Sequence, residues 1–302
     1  MKVFCCLSLI LLVGATPANR IIIRSDVPDS KYLVAEDAFP ALVDLPMEAH
    51  GALIAKRWVV TAAHATAMMR TMANHDYVTI AGKRRYVAQI ILYPDYPASA
   101  ANWDRLFKQI NSGSATSWRA NYASAMASMH DIALIELSEP VEDVKPVELY
   151  RGANEENQVA ELYGKGQTGN SRTGAEPDAP HRGRLRRAYN RITSAHDQWL
   201  DYRFDCGRDA LPLEGVTGDG DSGGPALINN NGTWQLAGLA HGVDGSAEVF
   251  KWRAGTFRVG TCGQEFASSR ISYYARWIDS VTTHSEHAAA TPIGPVLPLH
   301  LR

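Results

Sequence analysis

Gly215-Val-Thr-Gly-Asp-Gly-Asp-Ser-Gly-Gly-Pro-Ala-Leu227 sets Ser222 on a turn almost stripped of side chains. Glycine tolerates dihedrals that other residues avoid and lets another chain approach closely. A serine hydroxyl in such a turn is accessible but a weak nucleophile. It is activated when a base lies within hydrogen-bond reach and backbone N–H groups face the oxygen that turns negative. The N–H groups of Gly220 and Ser222 are the candidates for those donors. The plainer reading is a glycine-rich hairpin turn with one exposed serine, and the rest of the chain has to decide.

Two further stretches carry chemistry. Trp58-Val-Val-Thr-Ala-Ala-His64 ends an apolar run with an imidazole, and His130-Asp131-Ile-Ala-Leu-Ile opens one with a carboxylate. Alone, a histidine beside a core strand is usually structural and an aspartate at a strand edge is usually a turn residue. In the order His, Asp, Ser, each at the end or start of its own apolar run, they supply a base, an orienting acid and a nucleophile.

Working outward, short apolar runs broken by turns read as antiparallel strands. They are Phe39 to Leu45, Gly51 to Ala55, Trp58 to Ala62, Tyr77 to Ala81, Tyr86 to Leu92 and Asp131 to Leu137. A second set covers Val159 to Tyr163, Gly183 to Ile192, Trp199 to Phe204, Pro225 to Ile228, Trp234 to Ala240 and Glu248 to Phe257. The polar stretch Ser138 to Val147 crosses between the halves, and Gly164 to His181 reads as an exposed loop. Between the strands, Trp103, Leu106, Phe107 and Ile110 share one helical face behind an N-cap at Asn102. Trp118, Tyr122, Met126 and Met129 share another. This predicts a helical hairpin inserted at 101–129, either a packed structural insert or a rim over the site. Ile271, Tyr274, Trp277, Ile278 and Val281 have helical spacing, and the proline-bearing 284–302 reads as a disordered tail.

Composition narrows the function classes. A net charge of −2 and a pI near 6.6 give no basic surface for nucleic acid or anionic membrane. Met1-Lys2, the apolar run Val3 to Val13 and the small residues Gly14 to Ala18 read as a secretory signal over 1–18, with an uncleaved anchor as the alternative. Cys5 and Cys6 leave with it. Cys206 and Cys262 remain, and one pair in an exported chain suggests one disulfide; two free buried thiols are the alternative. No Cys or His spacing of a metal site is present, so neither metal nor other cofactor is expected.

The stretches VVTAAH, DIALIEL and GDSGGP resemble those of the chymotrypsin/trypsin family of serine endopeptidases, with a looser likeness from Ile21 to Val281. The resemblance implies an all-β fold: two six-stranded antiparallel β-barrels with the active site between them, plus the terminal helix and helical insertion. The first barrel would span 21–145 and the second, with its helix, 146–283. It implies His64, Asp131 and Ser222 as the triad and Gly220 and Ser222 as the oxyanion hole. Val216, Thr217, Asp219, His241 and Gly242 would form the substrate pocket. The implied partners are protein or peptide substrates of a secreted, monomeric enzyme.

The chain departs from that pattern in several places. Ala49 and Ala65 stand where the family carries a cysteine bridge, and Gly218 replaces another cysteine. A Cys206–Cys262 bond would tie together two loops beside the pocket. His241 replaces a usual serine and reads either as a pocket wall or as a second partner of Asp131. Val216 stands where trypsins hold an aspartate, so cleavage after an uncharged, apolar residue is expected. Arg20-Ile21 offers a zymogen cleavage site, after a dipeptide propeptide (19–20), that would send an Ile21 ammonium to Asp221. Ile22-Ile23-Arg24 lacks the usual glycines, so an enzyme that folds active without insertion stays equally open. Two other functions stay open as well: an inactive protease-like binding protein, and an esterase using the same triad.

Overall fold

The computed structural model describes residues 21–46, 48–112, 124–176, 183–244 and 258–290. The chain enters as a short strand, β1 (Ile21–Ile23). The branched and aromatic runs that follow are β2 (Leu42–Asp44), β3 (His50–Ala55), β4 (Trp58–Thr61), β5 (Tyr77–Ile80), β6 (Lys83–Leu92) and β7 (Ala133–Leu137). They close in the order β2-β3-β4-β7-β6-β5, each pair antiparallel.

The second half supplies β8 (Val159–Gly164), β9 (Thr168–Asn170), β10 (Gly174–Ala175), β11 (Arg186–His196), β12 (Trp199–Arg203) and β13 (Gly215–Val216). After them come β14 (Pro225–Asn230), β15 (Thr233–Val243) and β16 (Glu265–Arg270). Six of these close a second barrel, β11-β12-β16-β15-β14-β8, while β10-β9-β1-β13 form a small sheet on its flank. The expected two-barrel all-β architecture is thus present. Eleven of the twelve barrel strands lie within a few residues of their expected positions; the twelfth, β16, was not expected, and the expected run Glu248 to Phe257 falls outside the described residues.

One apolar cluster runs through the first barrel and on to Leu227, Leu236 and Leu239 of the second. It reaches Ile271, Tyr274 and Ile278 of the C-terminal helix, so both barrels and the helix share a continuous interior. Burial of this kind is the main driving term for a β-rich fold. A separate cluster fills the second barrel and takes in Ile21, Ile22 and Ile23.

Three sequence expectations need correction. After α1 (Ala67–Thr71), the insert's first helix, α2 (Tyr96–Ser112), starts well before Asn102. Pro97 sits in its first turn, where no intrahelical donor is required. Asn102 Oδ1 accepts from Arg105 Nη1 instead of capping. The second arm is helical over 124–128, and the segment holding Trp118 and Tyr122 lies outside the described residues. Gly164 to Ser171 is largely buried, because β9 pairs in parallel with β1 and the segment packs against Asp221. The C-terminal helix α3 (Ile271–Ala290) continues past Thr283. Its last residues include an alanine run with no breaker before Pro292, a composition of high helix propensity.

Candidate active site

The site forms where the two barrels meet. Antiparallel pairing of Thr61 with Ala133 brings the end of β4 beside the start of β7. His64, just beyond β4, and Asp131, just before β7, are therefore neighbours despite their separation in sequence. Ser222 precedes β14 of the second barrel, and its carbonyl accepts from the His50 N–H of β3 at 2.8 Å, tying the Ser222 turn to the first barrel. Gly223 adopts φ +72°, and a side chain there would meet the Ala62 N at 2.9 Å, so only glycine lets the barrels close at this point.

The three side chains line up. His64 Nε2 lies 2.8 Å from Ser222 Oγ, and His64 Nδ1 lies 2.6 Å from Asp131 Oδ2. The His64 backbone N–H donates to Asp131 Oδ1 at 2.9 Å. The Asp131 side chain is fully buried, whereas that of His64 is 37% exposed towards the cleft. Burial pushes the Asp131 carboxyl up, but the imidazoles of His64 and His241 outweigh it and hold the group far below the usual carboxylate range. Burial pushes His64 down, and the Asp131 charge more than reverses this, leaving its pKa above the ordinary value. The adjacent His130 turns away, stacking on Tyr93 and meeting the Tyr274 hydroxyl at 3.0 Å.

The N–H groups of Gly220 and Ser222 have no hydrogen-bond partner among the described residues, so both are free to serve an incoming oxygen. Between them, Asp221 is completely buried. Its carboxylate accepts from Gly166 N–H at 2.6 Å and Gly218 N–H at 2.9 Å, and His50 Nε2 stands 3.6 Å away. The Lys165 N–H donates to that same Nε2 at 3.1 Å, so this nitrogen accepts there and has no proton to give Asp221. Ile21 is buried at the head of β1, paired with Thr168 on one side, while Ile22 pairs with Val216 on the other. β1 thus lies between the two segments that hold Asp221. Arg20 lies outside the described residues.

A cavity of 170 Å³ opens beside Ser222, lined among the described residues by Thr217, Ala240, Val259 and Phe266, with Asp219, His241 and Gly242. Asp219 is exposed. Val216 does not line it: held in β13 against Ile22, it is wholly buried one layer behind. The Cys206–Cys262 disulfide is present, with Cα atoms 5.9 Å apart.

His241 does reach the His64–Asp131 pair. Its Nδ1 lies 2.6 Å from the same Asp131 Oδ2 that holds His64. The potential ligand atoms of His64, Asp131 and His241 all fall within 4.8 Å of one another. Their 2.6 Å N···O separations are hydrogen-bond spacings, since zinc bonds of about 2.0–2.1 Å in a tetrahedron hold ligand atoms roughly 3.3 Å apart. Sequence reading passed over His50, Gly166, Gln198 and Trp199. None belongs to a recognisable motif, and each acts through a residue remote in sequence.

Two closed six-stranded barrels with a His–Asp–Ser cluster at their junction have the arrangement of the trypsin-like serine proteases. A family model described as Trypsin matches residues 32–252, a span that includes all three cluster residues. The chain belongs to the trypsin family. Among solved structures it is similar to neuropsin, a serine protease expressed in the limbic system of mouse brain. That likeness has a TM-score of 0.56 and 19% identity, covering 83% of this chain and 98% of neuropsin, and it speaks for the shared fold. No curated protein matches the chain.

Proposed function

We propose that this trypsin-family chain is a secreted serine endopeptidase that cleaves after an uncharged residue. The observation that carries the reading is the unbroken line Asp131–His64–Ser222, with 2.6 and 2.8 Å steps, opening beside two free N–H donors. Ser222 Oγ attacks the scissile carbonyl while His64 Nε2 takes its proton, and Asp131 stabilises the imidazolium that forms. The oxygen that becomes negative is held by Gly220 and Ser222 N–H. His64 then protonates the leaving amine, and water repeats the sequence to release the acyl group from Ser222.

Specificity follows from the cavity. Its deeper lining of Thr217, Ala240, Val259 and Phe266 offers no counter-charge, and a buried Lys or Arg without one is costly. Asp219, exposed, suits a basic residue elsewhere on the substrate. Residues 1–18 act as an export signal, and among the described residues no helix is long and apolar enough to cross a membrane. Processing after Arg20 frees the Ile21 ammonium where the segments around Asp221 converge. That places a cation beside a buried carboxylate. The enzyme needs no cofactor and acts as a monomer on peptides and proteins.

The test is to label the secreted protein with a fluorophosphonate and profile cleavage on a peptide library. Labelling at Ser222 with turnover after apolar residues is expected. Absence of labelling would favour a protease-like binding protein, ester turnover without peptide turnover would favour an esterase, and a profile dominated by Arg or Lys would overturn the pocket reading.

A further inference from the structure

We infer that His241 is a positioning residue for the His64 base, acting through the carboxylate oxygen that the two imidazoles share. The inference rests on the serine-protease reading above. Asp131 Oδ2 accepts from His64 Nδ1 and from His241 Nδ1, each at 2.6 Å, while Oδ1 accepts from the His64 backbone N–H. A carboxylate oxygen has room for two donors, so one oxygen satisfies both rings when each carries its proton on Nδ1. Held this way, the carboxylate cannot turn without breaking charge-assisted bonds, the stronger kind.

The chain takes trouble to put His241 there. β15 slips register against β16 between Ala240 and Gly242, so His241 is the extra residue of a bulge, a device that re-aims a side chain. Its ring lies 4.9 Å from that of Trp199 and edge-on to His64 at 5.8 Å. Trp199 is buried, with Nε1–H donating to the Met126 carbonyl at 3.0 Å. Beside it, Gln198 Nε2 reaches the carbonyls of Met126, Ala127 and Met129. The arm of the insert that leads into Asp131 is thus fastened to the strand behind His241. Met126, Met129, Trp199, Ala63 and Ala133 pack as one cluster beside the triad. The insert, Trp199 and His241 form a single column that sets Asp131.

Among the described residues, the titratable groups facing His241 are Asp131, His64 and, across the cavity, Asp219. Tyr96 and Tyr274 also feel the Asp131 charge. Burial keeps both neutral, pushing Tyr96 up to about 12 and Tyr274 higher still. Donation from His241 draws on the charge of Oδ2 and so moderates the basicity that Asp131 confers on His64. Its loss frees that charge for His64 and loosens the carboxylate.

His241→Ala and His241→Asn separate positioning from simple pocket lining, because an Asn Nδ2 replaces the Nδ1 donor without a second ring nitrogen. With a small amide substrate, His241→Ala should lower kcat roughly tenfold or more, the scale for a bond to a charged group, with KM little changed. Its acid limb of kcat/KM should move to higher pH, and His241→Asn should restore most of both. Proton NMR of the unliganded enzyme should show two strongly downfield imidazole N–H resonances, one of which is lost in His241→Ala. A single downfield resonance in the wild type, or a His241→Ala effect confined to KM, would overturn the inference. Should His241→Ala fail to fold, the wild-type spectrum and His241→Asn still decide. His64→Ala and Ser222→Ala distinguish the two levels. If they stay active, the protease reading fails. If they are inert while His241→Ala matches the wild type, only the role of His241 fails.

Discussion

Gly166→Ala tests whether the Asp221 pocket shapes the nucleophile turn. The Gly166 N–H donates to Asp221 Oδ1 at 2.6 Å, and no space remains for a side chain. A methyl carbon there would lie 2.6 Å from Asp219 O, from Asp221 N and from Asp221 Oδ1. Two of those atoms are backbone, so relief at ordinary contact distance requires the 219–221 segment to shift by roughly 0.8 Å, the kind of strain that overpacking imposes. Overpacking costs about 1–3 kcal/mol, and a weakened amide–carboxylate bond adds to it, giving about 2–4 kcal/mol in all. For a chain of this size that lowers Tm by roughly 5–10 °C. On the proposed mechanism, the same shift would carry the Gly220 and Ser222 N–H groups away from the developing negative charge, and misplacing such donors costs about 10²–10³ in kcat. Calorimetry with active-site titration and steady-state kinetics would read both effects. A variant with wild-type Tm and wild-type kcat would refute the idea that this glycine pocket holds the turn in its working shape.

Ser222→Ala and His64→Ala should each remove nearly all activity without loss of folding, and the double variant should be no worse than either, because the residues act as a unit; kinetics on all three checks this. Since Asp131 raises the pKa of His64, activity should fall as pH drops through a value above the ordinary histidine range near 6.5, and Asp131→Asn should cut kcat by about 10⁴. With its carboxyl held below the usual range, Asp131 contributes stability that is present above about pH 4 and is lost as pH falls further; urea titrations of wild type and Asp131→Asn across that window should converge at low pH. Breaking Cys206–Cys262 with paired serines should cost about 2–4 kcal/mol in the same assay. Active enzyme should begin at Ile21 by N-terminal sequencing, and Arg20→Gln should lower activity; full activity in a variant that retains Asn19 would exclude insertion of Ile21.

Most of the short apolar runs, the contexts of His64, Asp131 and Ser222 and the pair Cys206 and Cys262 were legible in the chain itself. Strand periodicity is a local property, and each cluster residue sits at the end or start of a run that announces it. Other features depended on which strands became neighbours. Val216 looked like pocket wall, but its pairing with Ile22 turns it into the layer behind. The buried course of Gly164 to Ser171 arises because β1 adds itself beside β9, a pairing that neither segment's composition encodes. Asn102 resembled a helix start, yet the helix found an earlier one at Tyr96. For His241 the sequence left two readings open, and a one-residue slip between β15 and β16 selected the one in which it meets Asp131. That hydrogen bond joins residues 110 positions apart, and the one between Gly166 and Asp221 spans 55. Contacts of that range depend on register and barrel closure, which only the packed chain as a whole determines.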